Sequence, residues 1–130
     1  MAACSAGAAL IHIAMVSVHR DTGWADPVAS GKEPTLREAL DRAAAGLDQR
    51  FAAQPDLEAD IRLALGQGYV SLLAVEPARR ELTRVLALRV PGSSGWAQAQ
   101  VAMASVDWSS GRTDSPEQRY KDALAVCARE

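Results

Sequence analysis

This chain of 130 residues has few of the side chains that most often carry chemistry. It contains two histidines and two cysteines, and aromatic residues make up only 5% of it. Cys4 and Cys127 lie too far apart to form a disulfide framework or a zinc knuckle. The formal net charge of −2 is small, whereas nucleic-acid binding needs a strongly basic face. We therefore expect no nucleic acid to be bound by this chain itself.

Catalytic and cofactor motifs are also missing. Gly66 and Gly68 lie within a helical pattern rather than after a strand, so they form no dinucleotide fingerprint. His12 and His19 would share a helix face, but a metal site usually needs three or four ligands. Cys127 is interpreted as a small buried hydrophobic residue. We expect no enzymatic activity, and we name no catalytic, cofactor-binding or metal-binding residue.

Alanine is abundant instead, and it is the best helix former among the amino acids. The sequence shows no alternating run of β-branched residues of the kind that predicts a strand. The length is that of one domain. These features predict an all-α fold.

The N-terminal segment is uncharged and largely apolar over residues 2–18. It is shorter than the ~20 residues of a membrane-spanning helix, and it lacks the basic start of a signal peptide. Three interpretations of residues 1–20 stay open: a packed helix, the remnant of a membrane anchor, or a degenerate export signal. Residues 21–34 are rich in Gly, Pro, Asp and Ser, which predicts a linker.

A capping box predicts where the main domain, residues 35–130, begins. Thr35 and Glu38 have the spacing at which each side chain bonds the other residue's backbone amide. Apolar residues then follow at helical intervals, which predicts one helix over residues 35–53. These apolar residues are Leu36, Leu40, Ala43, Leu47 and Phe51.

Further helices are predicted over residues 56–73, 76–90 and 96–109, separated by proline and glycine. Ser115 and Gln118 form a second capping box that begins the last helix. We therefore expect an antiparallel array of five helices, or six with the N-terminal one. The apolar stripe predicted for the last helix comprises Tyr120, Ala123, Leu124 and Cys127.

The spacing of Leu65, Gly66, Tyr69, Ala78 and Leu82 resembles a tetratricopeptide repeat, a helical hairpin of about 34 residues. Gly66 and Ala78 would be the small residues where the two helices of the hairpin touch. Tyr69 and Leu82 would fill the space beside them. The resemblance implies a tetratricopeptide-like array that binds a protein or peptide.

The match to the repeat is incomplete. Arg62 stands at the tryptophan position of the family, and Leu73 stands at its turn glycine. A second, weaker unit keeps Gly111, Tyr120 and Ala123 at an offset of about 38 residues. Two units are few, because such stacks usually need about three. Dimerisation, or packing of residues 1–20 onto the array, would supply the missing contacts.

A wider resemblance covers residues 24–89. Residues 25–27, Gly31, residues 35–43, Phe51 and residues 54–56 look like a bacterial segment that precedes tetratricopeptide repeats. That segment occurs in membrane-anchored winged-helix transcriptional regulators and in some serine/threonine kinases. The resemblance implies the interaction or sensor part of such a protein, although neither a winged-helix nor a kinase motif is present.

The resemblance also bears on location and on the binding surface. If residues 2–18 end a membrane span, the domain lies at the periplasmic face of the inner membrane; otherwise it is cytoplasmic. The first helix of each tetratricopeptide hairpin lines the groove, which implies partner residues on helices 56–73 and 96–109. The candidates are Arg62, Gln67, Val70, Gln98 and Gln100.

The remaining charged residues are interpreted as a solvated surface. The arginines of helix 76–90 are expected to face outward, in pairs such as Glu76–Arg80. Glu58 and Asp60 diverge around their helix, which favours exposure rather than an acid/base pair. The alternative function to partner binding is a structural or oligomerising helical module without a ligand groove.

Overall fold

The computed structural model describes residues 35–112 and 114–129, and in these residues the chain forms six helices and no strand. This confirms the predicted all-α fold. The predictions for residues 1–34, including both histidines, lie outside the described residues. No helix in the described part is both long and apolar enough to cross a membrane. The helices are α1 (Leu36–Ala44), α2 (Leu47–Arg50), α3 (Pro55–Ser71), α4 (Val75–Leu88), α5 (Ser94–Ser109) and α6 (Pro116–Cys127).

The capping box at the start of α1 is confirmed. The amide of Glu38 donates to Thr35 Oγ1 at 3.2 Å, and the amide of Thr35 donates to Glu38 Oε2 at 2.9 Å. The prediction of one helix over residues 35–53 is wrong, because the chain leaves the helix at Ala45 and resumes it after Gly46. Gly46 has φ 77, a left-handed conformation that costs glycine little.

Helices α3 and α4 form an antiparallel hairpin. Arg62 of α3 pairs with Glu81 of α4, while Glu58, one turn earlier in α3, pairs with Arg84, later in α4. As the residue number falls along α3, the number of its partner rises along α4, which shows that the two helices run in opposite directions. The main core lies between α1, α2, α3, α4 and α5, and a smaller cluster of Ala97, Ala123 and Val126 joins α5 to α6.

Gly66 packs tightly against the facing helix of this hairpin. A Cβ atom built on Gly66 would lie 2.7 Å from Leu82 Cδ2. Cβ atoms in proteins essentially never come this close to a non-bonded atom. Leu82 and Tyr69 are both completely buried. The tight contact predicted at Gly66 is present, but the nearest atoms of α4 belong to the side chain of Leu82 and not, as predicted, to Ala78.

The turn after α3 carries a side chain in the left-handed region. Leu73 has φ 55, and it is the only described residue other than glycine with a positive φ. At this turn the amide of Leu73 donates to the carbonyl oxygen of Val70 at 3.0 Å. The amide of Ala74 donates to the carbonyl oxygen of Tyr69 at 2.9 Å. This is the Schellman cap, in which glycine is the usual residue. Gly111, with φ 75, occupies the same place after α5.

Leu73→Gly is expected to stabilise the domain. The Leu73 side chain is 75% exposed, so its loss removes little packing, whereas the strain of a left-handed non-glycine residue is relieved. We expect the free energy of unfolding to rise by about 0.5–1 kcal/mol after the entropy of glycine in the unfolded chain is counted. Urea unfolding measures this, and Gly111→Leu is the reverse control, expected to destabilise by about 1 kcal/mol. A loss of stability in Leu73→Gly would contradict the strain at this turn.

Equivalent contacts recur along the array. Tyr69 Oη donates to Asp41 Oδ1 across α1 and α3, and Arg79 Nη1 donates to Asp107 Oδ1 across α4 and α5. Each bond is 2.7 Å long and joins residues 28 apart in sequence. The second bond lies about 38 residues after the first, which is the offset of the two predicted repeat units. The contact of α1 and α2 with α3 thus corresponds to the contact of α4 with α5.

The prediction for the last helix needs correction. Ser115 makes no side-chain capping bond, because it lies in the helical region of backbone space rather than the extended one. The buried face of α6 consists of Pro116, Ala123 and Val126. Of the predicted stripe, only Ala123 is buried. Tyr120, Leu124 and Cys127 are exposed.

Candidate functional site

A groove runs between α3, α5 and α6 and encloses a cavity of about 650 Å³. This volume lies within the range of small-ligand pockets, about 300–1,000 Å³. Within the described part of the chain, eleven residues line it and none of them is charged. They are Gln67, Val70, Ser71, Ser94, Ala97, Gln98, Val101, Ala102, Ala123, Val126 and Cys127.

Helical spacing explains how these residues come to share one surface. On α5, Ser94, Ala97, Gln98 and Val101 lie at i, i+3, i+4 and i+7, which is one face of a helix. On α3 the lining residues have the same spacing over one turn. Many of the side chains are small, so the three helices leave open space between them. We call this surface the uncharged groove.

The five sequence-predicted partner residues separate into two groups. Gln67, Val70 and Gln98 lie together in the uncharged groove. Arg62 and Gln100 are buried and do not line the groove, because Arg62 bonds Glu81 of α4 and Gln100 accepts a bond from Arg119 of α6. The structure therefore brings three of the predicted residues into one site and places the other two in ion-pair networks.

Arg62 is the centre of the first network. Its guanidinium donates to Glu58 Oε1 at 2.8 Å and to Glu81 Oε2 at 2.6 Å, and it also contacts Asp48 of α2. Glu58 is buried as well and accepts a second bond, at 3.0 Å, from Arg84. The interpretation of Glu58 as part of a solvated face is wrong. The network links α2, α3 and α4.

Asp107 of α5 is the centre of the second network. Its two carboxylate oxygens accept bonds from Arg79 of α4 at 2.7 Å and Arg119 of α6 at 2.8 Å. Arg119 also donates to Gln100 Oε1 at 2.6 Å. Gln100 and Arg119 are 19 residues apart, as are Arg62 and Glu81 in the first hairpin, with donor and acceptor exchanged.

The arginines of α4 thus act between helices rather than along one. Arg79, Arg84 and Arg89 each pair with an acid on α3 or α5. Arg80 pairs with the adjacent Glu81. The predicted pairing within the helix is wrong for Arg79, Arg84 and Arg89. The predicted outward position is wrong for Arg79 and Arg89, which are mostly covered, but it is confirmed for Arg84, which is exposed. Sequence spacing alone shows pairs within a helix but not those across a hairpin.

Two of the buried acids, Glu58 and Asp107, have pKa values below the ordinary ones. Burial works to raise the pKa of Glu58, but hydrogen bonds from Arg84 and Arg62 outweigh it and hold that pKa below its ordinary value. In the same way, burial opposes ionisation of Asp107, and bonds from Arg79 and Arg119 lower its pKa overall. Ionic pairing therefore dominates at both sites.

This predicts an acid-labile fold. A carboxylate whose pKa is lowered on folding adds stability above its ordinary pKa, and that stability is lost as the pH falls through the lowered value. We expect the urea midpoint to be steady from about pH 7 to pH 5.5 and to fall steeply below about pH 4. The Glu58→Gln, Asp107→Asn double variant should be less stable at neutral pH and should respond less to acid. An equal acid response in both proteins would contradict this role.

A second cavity of about 490 Å³ lies over the Arg62 network. Its lining has three acidic and three basic residues, and each of them already has an ion-pair partner. Arg62 and Arg80 pair within the lining, whereas Arg84 pairs with Glu58. A ligand there would have to displace ion pairs that join α2, α3 and α4. It is lined by Asp41, Ala44, Ala45, Asp48, Arg62, Arg80, Glu81 and Arg84.

Sequence reasoning missed the contribution of α6 to the uncharged groove. Ala123, Val126 and Cys127 line it, and Cys127 is exposed there rather than buried. The inward face of α6 is mostly alanine and valine, and only the packing against α5 shows which side of the helix lines the groove. In the described ranges, no group of three His, Cys, Asp or Glu residues could hold a metal ion.

Comparison of the chain with protein-family models, with curated proteins and with solved structures found no match.

Proposed function

We propose that this domain is a non-enzymatic module that binds a protein or peptide partner in the uncharged groove. The observation that carries the proposal is the cavity of about 650 Å³ between α3, α5 and α6, with Gln67 and Gln98 as its hydrogen-bonding groups. The buried ionic networks join helices to one another, whereas the described residues of the groove take no part in them. Apolar walls with a few polar groups are typical of binding sites.

The architecture that fits this function is a tetratricopeptide-like array. Interhelical side-chain bonds recur at positions about 38 residues apart, with donor and acceptor exchanged, and this recurrence supports it. In this proposal the domain is the interaction or sensor part of a bacterial transcriptional regulator or signalling protein, as the resemblance of residues 24–89 implies. Residues 2–18 would supply any contact with a membrane.

A selection from an unbiased peptide library tests the proposal. The full chain is the target, and selected peptides are then measured against Val101→Trp, which places a large side chain in the groove from a partly exposed position. Val90→Trp is the matched control, since Val90 is exposed and does not line the groove. We expect affinity to fall at least about tenfold in the first variant and to stay unchanged in the second. Equal binding to both variants, or no selected peptide, would refute the groove.

A structural or oligomerising module is the second candidate. Trp108, Tyr120 and Leu124 are exposed by 72%, 42% and 67%. Tyr120 and Leu124 lie one turn apart on α6, and apolar side chains that adjoin on a surface can form a protein interface. This candidate predicts a homodimer that Trp108→Ser and Leu124→Ser convert to a monomer. Sedimentation velocity measures this, and a wild-type chain that is monomeric over the accessible concentration range would exclude it.

A further inference from the structure

In the first hairpin, formed by α3 and α4, charged side chains fill the position that corresponds to the uncharged groove. Arg89 at the end of α4 donates to Asp56 Oδ1 at 3.1 Å and to the carbonyl oxygen of Asp56 at 3.3 Å, and it pairs with Asp60. Asp56 and Asp60 are one turn apart on α3. The long Arg89 side chain therefore lies across the open end of the hairpin and holds α3 to α4.

The second hairpin lacks this closure. The residues about 38 positions later are Ser94, Gln98 and Cys127, and all three line the uncharged groove. The polar contact here stays within α5, where Gln98 Nε2 donates to Ser94 Oγ at 3.4 Å. Short uncharged side chains have replaced an arginine and two aspartates. The groove is thus open at a position that the other hairpin fills with ion pairs.

We propose that the uncharged groove selects a partner α-helix that presents uncharged aliphatic side chains. This inference rests on the proposed binding function and names its partner class. Charged residues make up 23% of the chain, yet none of those in residues 35–112 and 114–129 lines the cavity. A charged side chain entering it would lose its hydration without gaining an ionic partner, which is strongly unfavourable. Aliphatic side chains would be buried favourably against Val70, Val101 and Val126.

The size of the groove indicates how much of the partner enters. Its lining on α5 extends from Ser94 to Ala102, which is about 12 Å at 1.5 Å per residue. This matches about two turns of a partner helix with apolar anchors at i, i+3, i+4 and i+7. Gln67 and Gln98 would offer uncharged hydrogen bonds to polar groups beside those anchors.

The probe is a synthetic helical peptide of alanine and glutamine with leucine at i, i+3, i+4 and i+7, blocked at both ends. Two matched peptides carry Asp or Lys in place of one central leucine. Binding to the full chain is followed by calorimetry, and protection of the Cys127 thiol from a maleimide, in a Cys4→Ser background, locates the site. We expect the neutral peptide to bind and to protect Cys127, and both charged peptides to bind at least about tenfold more weakly.

A variant that introduces the ionic cluster of the first hairpin into the uncharged groove tests the site; we call it the closing variant. Ser94→Asp, Gln98→Asp and Cys127→Arg copy the cluster of the first hairpin into the second, and they should abolish binding of the neutral peptide while circular dichroism retains the helices. Gln98→Asp alone is the milder variant if the triple one fails to fold, with binding expected to fall at least about tenfold. Ala53→Asp, Thr83→Asp and Ala125→Arg introduce the same charges at exposed positions outside the groove and should leave binding intact.

The outcomes separate this inference from the function on which it rests. If the charged peptides bind as tightly as the neutral one and the closing variant blocks all three, the groove binds peptides but its proposed selectivity is wrong. If no peptide protects Cys127, and the library selection also yields none, the binding function itself is refuted. Equal binding of the neutral peptide to the closing variant and to its control would overturn the proposed site.

Discussion

Arg62→Met is expected to destabilise the domain by about 3 kcal/mol, a large part of a typical stability of about 5–15 kcal/mol. Arg62 is buried and neutralises Glu58 and Glu81, both of which are buried too. Removing the guanidinium leaves these carboxylates with Arg84 and Arg80, whose side chains are partly in solvent. We place the cost at the lower end of that for breaking a buried ion pair because those two contacts remain.

The measurement is urea unfolding at neutral pH, with Arg37→Met as the matched control. Arg37 pairs with Asp41 at the surface, and an exposed pair contributes only about 0–1 kcal/mol. The triple variant Arg62→Met, Glu58→Gln, Glu81→Gln should recover much of the loss, since it removes the charges that Arg62 neutralises. If Arg62→Met costs no more than Arg37→Met, the Arg62 network does not hold the first hairpin together.

Gly66→Ala is expected to destabilise the domain by about 1–3 kcal/mol, although alanine is the better helix former by about 1 kcal/mol. The new Cβ would lie 2.7 Å from Leu82 Cδ2 and 2.8 Å from Leu82 Cγ. Leu82 is completely buried, so its side chain has little room to move away. The overlap must then be relieved by shifting α3 and α4 apart.

A double-mutant cycle with Leu82→Ala separates overlap from propensity. In that background the atoms that oppose the new Cβ are gone, so Gly66→Ala should become neutral or stabilising. The two substitutions should therefore be strongly non-additive, as expected for residues in contact. Additive effects, with Gly66→Ala equally costly in both backgrounds, would show that closure of the hairpin does not depend on this contact.

The sequence predicted the elements of the fold well where local patterns agree with packing. The apolar stripe and Pro55 predicted α3 to within two residues at each end, and the Thr35–Glu38 capping box begins α1 as expected. The break at Gly46 could not be predicted, because a glycine inside a helical pattern is tolerated at a cost of about 1 kcal/mol relative to alanine and does not by itself end the helix. In α6 the wrong face was predicted, since Tyr120 and Leu124 are apolar but exposed.

The candidate site was only partly accessible to sequence reasoning. Helix geometry predicted α3 and α5 as the relevant helices, and Gln67, Val70 and Gln98 lie together on them. Arg62 and Gln100 are held instead by partners 19 residues away, and pairs at that distance become visible only once the hairpins are folded. The groove itself depends on the small size and lack of charge of its described lining residues, and no local sequence motif predicts these features.

The central claim, that a partner binds between α3, α5 and α6, is tested most directly by nuclear magnetic resonance of the full chain titrated with the neutral leucine peptide. The largest amide shift changes are expected at Gln67, Val70, Gln98 and Val101, with little change around the Arg62 network. Shift changes concentrated at Trp108, Tyr120 and Leu124, or none at saturating peptide, would contradict the claim.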